Sequence, residues 1–209
     1  MPRLMAALYD SVLCAAERRG LAQWRAEILA PLRGRVLEVG AGTGLNLPHY
    51  PLTVAELVLA EPDRHMRDRL SQRAAASRIP VTISDAPASP LPFAPASFDG
   101  VVMTLVLCTV PDVAAALGEA RRVLAPGGVL AFVEHVGGDE GSSRLRWQRR
   151  LEPLWRPIAG NCHLTRNTVE AIRQARFTML FLHRDDLPGV MRLGSPVVRG
   201  IATATPTGR

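Results

Sequence analysis

The sequence predicts an α/β fold built on a parallel β-sheet with an antiparallel edge. Between residues 35 and 136, short apolar segments of strand length alternate with segments whose apolar residues recur at helical spacing. This alternation is typical of βαβ units with right-handed crossovers. Two strand-like segments, 177–183 and 197–204, then follow one another directly, which favours an antiparallel pair. The length fits a single domain, 1–209.

The first elements are predicted to be helices followed by a strand and a glycine-rich turn. Residues 3–30 carry apolar side chains at helical spacing with a break at Gly20, and we expect residues 1–30 to form a helical cap. A first strand, 35–40, then runs into glycines and a helical turn that stops near Pro48.

The second and third predicted strands, 56–62 and 81–86, both carry an acidic residue near their ends. The segment between them, 63–77, has the pattern of a helix. Asp63 lies near the start of this helix, where a carboxylate interacts favourably with the helix dipole.

The remaining elements complete the sheet and add an insertion. The fourth strand and its exit (98–110) and the fifth strand (129–136) are separated by a helix, 112–128, that stops at Pro-Gly-Gly. The insertion 142–165 breaks the alternation and is expected to form a lid, followed by a helix at 166–176.

The charge pattern argues against a nucleic-acid partner. All 25 basic residues are arginine and the net charge is +6 at pH 7, which indicates a coding bias more than a binding surface. The densest cluster, 143–157, predicts an amphipathic helix with its arginines outside and Leu145, Trp147, Leu151 and Trp155 facing inward. Contact of this cluster with an anionic surface is the open alternative.

Export, membrane and metal signals are missing from the sequence. The longest apolar segment, 100–110, is too short to cross a bilayer as a helix, and the N-terminus lacks the pattern of a signal peptide. We therefore expect a cytoplasmic protein. Cys14, Cys108 and Cys162 form no metal-binding spacing, so no metal is expected. The sequence does not predict the oligomeric state.

The glycine-rich segment after the first strand is the sharpest indication of function. Gly40, Gly42 and Gly44 allow a tight turn and a close approach of backbone to a ligand. Leu45 stands where the dinucleotide fingerprint GxGxxG has its third glycine. This departure, with Glu38 inside the strand, argues against NAD and favours a ligand that carries an ammonium group.

Acidic residues at successive strand ends extend this prediction. Glu61, after the second strand, is placed to accept hydrogen bonds from ribose hydroxyls. Asp85, after the third strand, can accept one from an adenine amino group, with the Ala86 backbone beside it. Because ligands of α/β sheets bind at the carboxyl ends of the strands, we expect these groups around one site.

These segments together resemble a class I S-adenosylmethionine-dependent methyltransferase. The resemblance rests on "VLEVGAGTG" (36–44), "EP" (61–62), "SFDGVV" (97–102) and "RVLAPGGVL" (122–130) and covers about residues 30–136. It implies a Rossmann-like α/β fold with a seven-stranded sheet of order 3-2-1-4-5-7-6, strand 7 antiparallel, and helices on both faces. It also implies S-adenosyl-L-methionine as cofactor and S-adenosyl-L-homocysteine as product. The cofactor-binding residues expected are Glu38, Gly40, Ala41, Gly42, Gly44, Asn46, Glu61, Pro62, Met66, Asp85, Ala86, Thr104 and Leu105.

A narrower resemblance covers nearly the whole chain. The segments "TLVLCTV" (104–110), "FVEHV" (132–136), "EPLW" (152–155) and "CHLTR" (162–166) are similar to the methyltransferase-like alkyl thiol methyltransferases and their bacterial relatives. Relatives that act on phosphatidylethanolamine or other small molecules share much of this pattern. The animal thiol enzymes carry an N-terminal membrane anchor without a counterpart here, which weakens any expectation of a lipophilic substrate.

Three functions follow from these observations, in order of preference. The first is methyl transfer to a small-molecule acceptor, preferably a thiol, because a partly ionised thiol needs little activation. The second is methylation of a phospholipid amine or a quinone-like carbon. The third is a protein that binds adenosylmethionine without catalysis, or an NAD-dependent oxidoreductase.

The acceptor pocket is predicted from strand ends four and five and from the lid. His135, at the end of the fifth strand, is the candidate general base, with a structural hydrogen bond as the alternative role. In the segment 160–166, Thr165 is expected to cap the next helix, and Cys162 and Leu164 to pack under the lid. The residues expected in the substrate pocket are Tyr9, Cys108, Trp147, Trp155 and His163.

Overall fold

The structure is a computed structural model that describes residues 10, 13–187 and 189–204. Tyr9, expected in the substrate pocket, lies outside the described residues. One sheet contains seven strands: β1 (Gly34–Val39), β2 (Val54–Ala60), β3 (Val81–Ser84), β4 (Phe98–Thr104), β5 (Leu124–His135), β6 (Phe177–Asp186) and β7 (Pro196–Ala204).

The strand order is β3-β2-β1-β4-β5-β7-β6. Strands β1 to β5 pair in parallel, and β7 pairs antiparallel with both β5 and β6. The predicted order and the antiparallel edge are therefore confirmed. The switch point lies at β1, which pairs with β2 on one side and β4 on the other, and a ligand crevice forms at such a point.

Helices cover both faces of the sheet. A π-helical turn, Glu17–Leu21, with Gly20 at a φ of 145°, leads into the helix Ala22–Leu29, which confirms the predicted break at Gly20. Among the described residues after Leu21, the α-helices are α1 (Ala22–Leu29), α2 (Arg64–Ala74), α3 (Val113–Val123), α4 (Ser143–Trp155) and α5 (Thr168–Gln174). No helix in the described part of the chain is long and apolar enough to cross a membrane.

The core lies on both sides of the sheet, as two buried clusters. One cluster contains side chains of α3 and α5, and the other contains side chains of α1 and α2. Because strand side chains alternate between faces, Leu37 and Val39 join the first cluster and Val36 joins the second. Glu38 therefore projects to the face that carries α1.

Side-chain caps fix where three helices begin. Asp63, Asp112 and Ser142 each accept a hydrogen bond from a backbone N–H in the first turn of α2, α3 and α4. The predicted placement of Asp63 is confirmed. Helix α3 ends at Val123, earlier than predicted, because Leu124 is already extended and belongs to β5.

Two predictions in the insertion are wrong. Helix α5 begins at Thr168 with Asn167 as its cap, not near Arg166 with Thr165, because Thr165 is bonded to Glu152 instead. Trp147 does not face inward: its side chain is 52% exposed, because Leu145 and Gln148 form the buried face of α4.

Candidate active site

The glycine loop between β1 and a single 3-10 turn (Leu47–His49) forms one wall of the site. Gly40, Gly42 and Gly44 all have positive φ angles, of 67°, 57° and 85°, which L side chains rarely adopt. A Cβ at Gly40 would lie 2.5 Å from Val106 Cγ2, whereas a Cβ at Gly42 would meet nothing within 4 Å. The loop thus packs closely at Gly40 and leaves space beside Gly42.

Glu61, immediately after β2, is held in a fixed orientation next to this loop. Its Oε2 accepts a hydrogen bond from the Gly42 N–H at 2.8 Å, and its Oε1 accepts one from the Asp63 N–H at 2.9 Å. Burial raises the pKa of the Glu61 carboxyl, although the two N–H donors act against this rise. A carboxylate with its direction fixed in this way suits the recognition of a vicinal diol.

Glu38 lies beneath the loop in a buried polar network. Its Oε1 accepts from Asn46 Nδ2 at 2.8 Å and its Oε2 accepts from the Tyr50 hydroxyl at 2.7 Å. Arg25 of α1 donates to Asn46 Oδ1 at 2.8 Å, and Asn46 Nδ2 also lies 3.1 Å from Thr104 Oγ1. Burial raises the pKa of Glu38 to about 7, against the lowering effect of its hydrogen bonds. Asn46 therefore ties the loop to both β1 and β4, and the contact of Glu38 with a ligand ammonium group stays a prediction.

The cavity enclosed by these elements has a volume of about 210 Å³ and lies at the carboxyl ends of β1, β2 and β4. Seven of the predicted cofactor residues line it: Gly40, Gly42, Glu61, Pro62, Met66, Thr104 and Leu105. Seven residues that were not predicted for the site also line it: Asp63, Ala88, Val106, Thr109, Val110, Ala159 and Gly160. The residues after Leu105 could have been found from their position beyond the end of a parallel strand.

Other predicted cofactor residues lie outside this cavity. Ala41 and Ala86 are buried in the core, and Gly44 packs against Leu70 and Leu47. Asp85 is exposed and lines a separate depression beside α2. A contact of Asp85 with adenine therefore stays a prediction.

The loop that follows β4, residues 105–110, is fixed from below by Glu134 of β5. One carboxyl oxygen of Glu134 accepts from the Val106 and Leu107 N–H groups at 2.9 Å each, and the other accepts from Cys108 N–H at 3.2 Å. Glu134 is fully buried, and this burial raises its pKa to about 8. The side chain adjacent to the predicted base thus positions the wall of the cavity.

The segment 161–166, at the end of the insertion and running into Arg166, holds the same loop from above. Arg166 Nη1 donates to the Leu107 carbonyl at 2.5 Å, and the His163 N–H donates to the Cys108 carbonyl at 2.8 Å. Asn161 Nδ2 donates to the Thr109 carbonyl at 2.8 Å. The segment therefore binds the backbone of the cavity wall.

Glu152 of α4 orders this segment from the side of the helix. Its carboxylate accepts from the Thr165 N–H at 2.9 Å and the Thr165 hydroxyl at 2.6 Å, and it lies 3.1 Å from His163 Nδ1. Burial alone would raise the pKa of Glu152, but the hydrogen bonds from Thr165 and His163 outweigh it and hold the pKa below its usual range. His163 is paired with this carboxylate and does not line the cavity.

Two thiols and a histidine meet between the loop and the insertion. The Cys108 and Cys162 side chains interact, and Cys162 Sγ lies 3.9 Å from His135 Nδ1. The Cys108 thiol, followed by His135, lowers the pKa of Cys162 to about 5 although burial opposes this, and the pKa of Cys108 lies well above its usual value. His135 is buried and does not line the cavity, so its role as a base stays a prediction. Within the described ranges, no cluster of three His, Cys, Asp or Glu residues could hold a metal ion.

The predicted substrate residues of the insertion are only partly brought to the site. Leu164 is buried, as predicted, and Trp155 lies half-buried beside the Cys162 thiol. Trp147 is on the outer face of α4, with the Arg150 guanidinium 5.4 Å from its ring centroid. The insertion reaches the cavity instead through Ala159 and Gly160.

Comparison with known proteins yields consistent similarities. Residues 37–132 match the family described as "Methyltransferase domain". Thiol S-methyltransferase TMT1B of Homo sapiens is 34% identical over 198 residues, which span 90% of this chain and 79% of that protein. The Rattus norvegicus TMT1B is 40% identical over 149 residues, 68% of this chain but only 59% of its own length.

Two further similarities extend the comparison. Demethylmenaquinone methyltransferase of Deinococcus radiodurans is 32% identical over 165 residues, which span 74% of this chain and 67% of that protein. A solved structure from Thermotoga maritima, a SAM-dependent methyltransferase described as a possible histamine N-methyltransferase, superposes with a TM-score of 0.69 at 21% identity and covers 97% of both chains. At this identity the likeness shows the fold alone.

Proposed function

Because this chain belongs to the S-adenosylmethionine-dependent methyltransferase family that includes the thiol S-methyltransferase TMT1B, we propose that it methylates the thiol of a small molecule. The observation that carries the choice of acceptor is the similarity to TMT1B, which extends over 90% of the chain and includes the insertion. The similarity to demethylmenaquinone methyltransferase favours a quinone-like carbon as the second candidate acceptor.

The residues of the cavity fit the cofactor. The Glu61 carboxylate is an acceptor for the ribose hydroxyls, and the open space beside Gly42 leaves room for the cofactor. Met66, Leu105 and Val106 offer apolar surface for a purine. The chemistry that the cofactor supplies when bound is an electrophilic methyl group on a sulfonium.

The protein's part in this reaction is to bind, orient and exclude water. The acceptor sulfur has to lie in line with the methyl group, and positioning of this kind can account for a large part of a rate enhancement. We assign the acceptor-lid role to residues 142–165, with Ala159 and Gly160 at the cavity. An acceptor thiol is partly ionised near neutral pH and requires no dedicated base.

An acceptor panel tests the proposal. Alkyl thiols, aryl thiols, phenols, amines, phosphatidylethanolamine and a demethylated quinone are incubated with the protein and cofactor labelled in the transferred methyl group. We expect label in the thiol products. Label in the quinone or the amine with none in the thiols would refute thiol methylation while leaving methyl transfer intact.

The cofactor site is tested through Glu61→Ala, with Glu56→Ala, on the strand that precedes Glu61, as its control. Glu56 is paired with Arg35 away from the cavity. In Glu61→Ala, the loss of charge-assisted hydrogen bonds to the ribose should weaken adenosylhomocysteine binding by about 3 kcal/mol, over a hundredfold. Calorimetric titration measures the change, and circular dichroism checks that both variants fold. Equal affinities in the two variants would remove Glu61 from the site.

Two further assignments belong to this proposal. His135→Ala should leave adenosylhomocysteine binding intact, and unchanged turnover in that variant would show that His135 is not a base. We place the protein in the cytoplasm with a small-molecule acceptor as its partner, which cell fractionation can check.

A further inference from the structure

A line of apolar side chains runs along the outer face of α4 and beyond its end. Trp147, Leu154 and Ile158 have exposed fractions of 52%, 69% and 71%. The spacing of seven residues places Trp147 and Leu154 on one side of α4, away from the buried Leu145, and Ile158 follows in the turn beyond the end of the helix. We call Trp147, Leu154 and Ile158 the outer stripe.

Arginines flank the outer stripe. Arg146 and Arg150 are exposed and lie beside it by helical spacing, whereas Arg149 and Arg156 project from the other side of the helix. Arg150 lies over the Trp147 ring. These side chains can extend their aliphatic stems over an apolar surface and place their guanidinium groups at its polar boundary.

Negative charge is largely kept away from this face. Glu152, the one acidic residue of α4, turns inward to Thr165 and His163. Glu140, before the helix, forms an ion pair with Arg149 in which both side chains are mostly exposed, and such a pair is weak. The outer face of α4 is therefore both apolar and cationic.

We propose that the outer stripe docks on the surface of an anionic lipid bilayer. A helix with tryptophan and aliphatic residues on one line and arginines around it suits the boundary between headgroups and acyl chains. A second copy of the chain fits less well, because a symmetric contact would bring the same arginines against one another. Ile158 directly precedes Ala159 and Gly160, so the docked face lies at the edge of the cavity.

Vesicle flotation tests the docking without any methyl transfer, so its result is independent of the proposed function. The full chain is mixed with phosphatidylcholine vesicles, with or without phosphatidylglycerol. We expect flotation only with the anionic vesicles and a decline as salt is raised. No flotation of the unaltered protein at low salt would overturn the proposal.

Matched variants locate the surface. Leu154→Ser with Ile158→Ser should abolish flotation, whereas Leu180→Ser, which changes a side chain that is 62% exposed on β6, should not. Arg146→Gln with Arg150→Gln should weaken vesicle binding about thirtyfold, because the loss of each arginine near an anionic surface weakens binding about fivefold. If Leu180→Ser reduced flotation as much as Leu154→Ser with Ile158→Ser, the assignment of the docking surface to the outer stripe would be overturned.

Self-association is measured alongside by sedimentation velocity. The proposal expects the same sedimentation for the unaltered protein and the outer-stripe variant. If the unaltered protein is a dimer that Leu154→Ser with Ile158→Ser dissociates, the face is an interface between copies and the membrane proposal fails. Thermal unfolding confirms that each variant is folded.

Discussion

Replacing Glu134 by glutamine should change how the stability of this protein depends on pH. The carboxyl group accepts two backbone N–H bonds at one oxygen and a longer one, from Cys108, at the other. A glutamine can offer its carbonyl oxygen to the Val106 and Leu107 N–H groups. Its amide nitrogen cannot accept from Cys108, which leaves one buried donor unsatisfied at a cost of about 1–3 kcal/mol.

The pH dependence comes from the raised pKa of Glu134. Burial raises this pKa from 4.5 to about 8 in the folded protein. A carboxyl group with a folded-state pKa above its unfolded value stabilises the fold fully below the unfolded pKa, and this contribution is lost as pH rises through the folded pKa. The loss is about 1.4 kcal/mol per pH unit between the two values, on the order of 5 kcal/mol in total.

Glu134→Gln does not titrate and escapes this loss. The variant should therefore be less stable than the unaltered protein at about pH 5 and more stable at about pH 8.5. Glu38, whose pKa is raised to about 7, titrates in both proteins and cancels in the difference. Urea unfolding followed by circular dichroism at several pH values gives the two free energies. A difference that stays constant across this range would refute the view that burial keeps Glu134 protonated.

Two other predictions concern the loop and the thiols. Gly40→Ala should lower the melting temperature more than Gly42→Ala, because both have positive φ but only the first Cβ meets Val106, at 2.5 Å; equal losses would contradict close packing at Gly40. Cys162, with its pKa lowered to about 5, should react with iodoacetamide at about pH 6, where an ordinary thiol is protonated, and Cys108→Ala should slow this reaction. Peptide mass spectrometry measures the labelling, and the same rate in both proteins would show that the Cys108 thiol does not lower the pKa.

The parts of the fold that were predicted correctly are those governed by local pattern. The alternation of apolar and amphipathic segments predicts which residues are buried, and a carboxylate at the start of a helix predicts the residue that caps it, as at Asp63. The cavity residues Gly40, Gly42 and Glu61 were also predictable, because strand ends in a parallel sheet converge on one edge.

The insertion was harder to predict because distant contacts decide its conformation. Threonine is a residue type that often caps helices, yet the N–H and the hydroxyl of Thr165 both donate to Glu152, thirteen positions earlier. Trp147 follows a helical pattern that fits an inward or an outward face, and only the packing of Leu145 and Gln148 decides between them. The role of Glu134 depends on three N–H groups of a loop more than twenty residues away.

The backbone of residues 106–109 is bonded on both sides, by Glu134 below and by the segment 161–166 above. The insertion therefore cannot shift at that segment without altering the wall of the cofactor cavity. If the acceptor seats on the insertion as proposed and thereby tightens the cofactor, linkage requires that the cofactor tightens the acceptor by the same factor. Departure of the methylated product would then loosen the spent cofactor, so one structural event would serve both release steps.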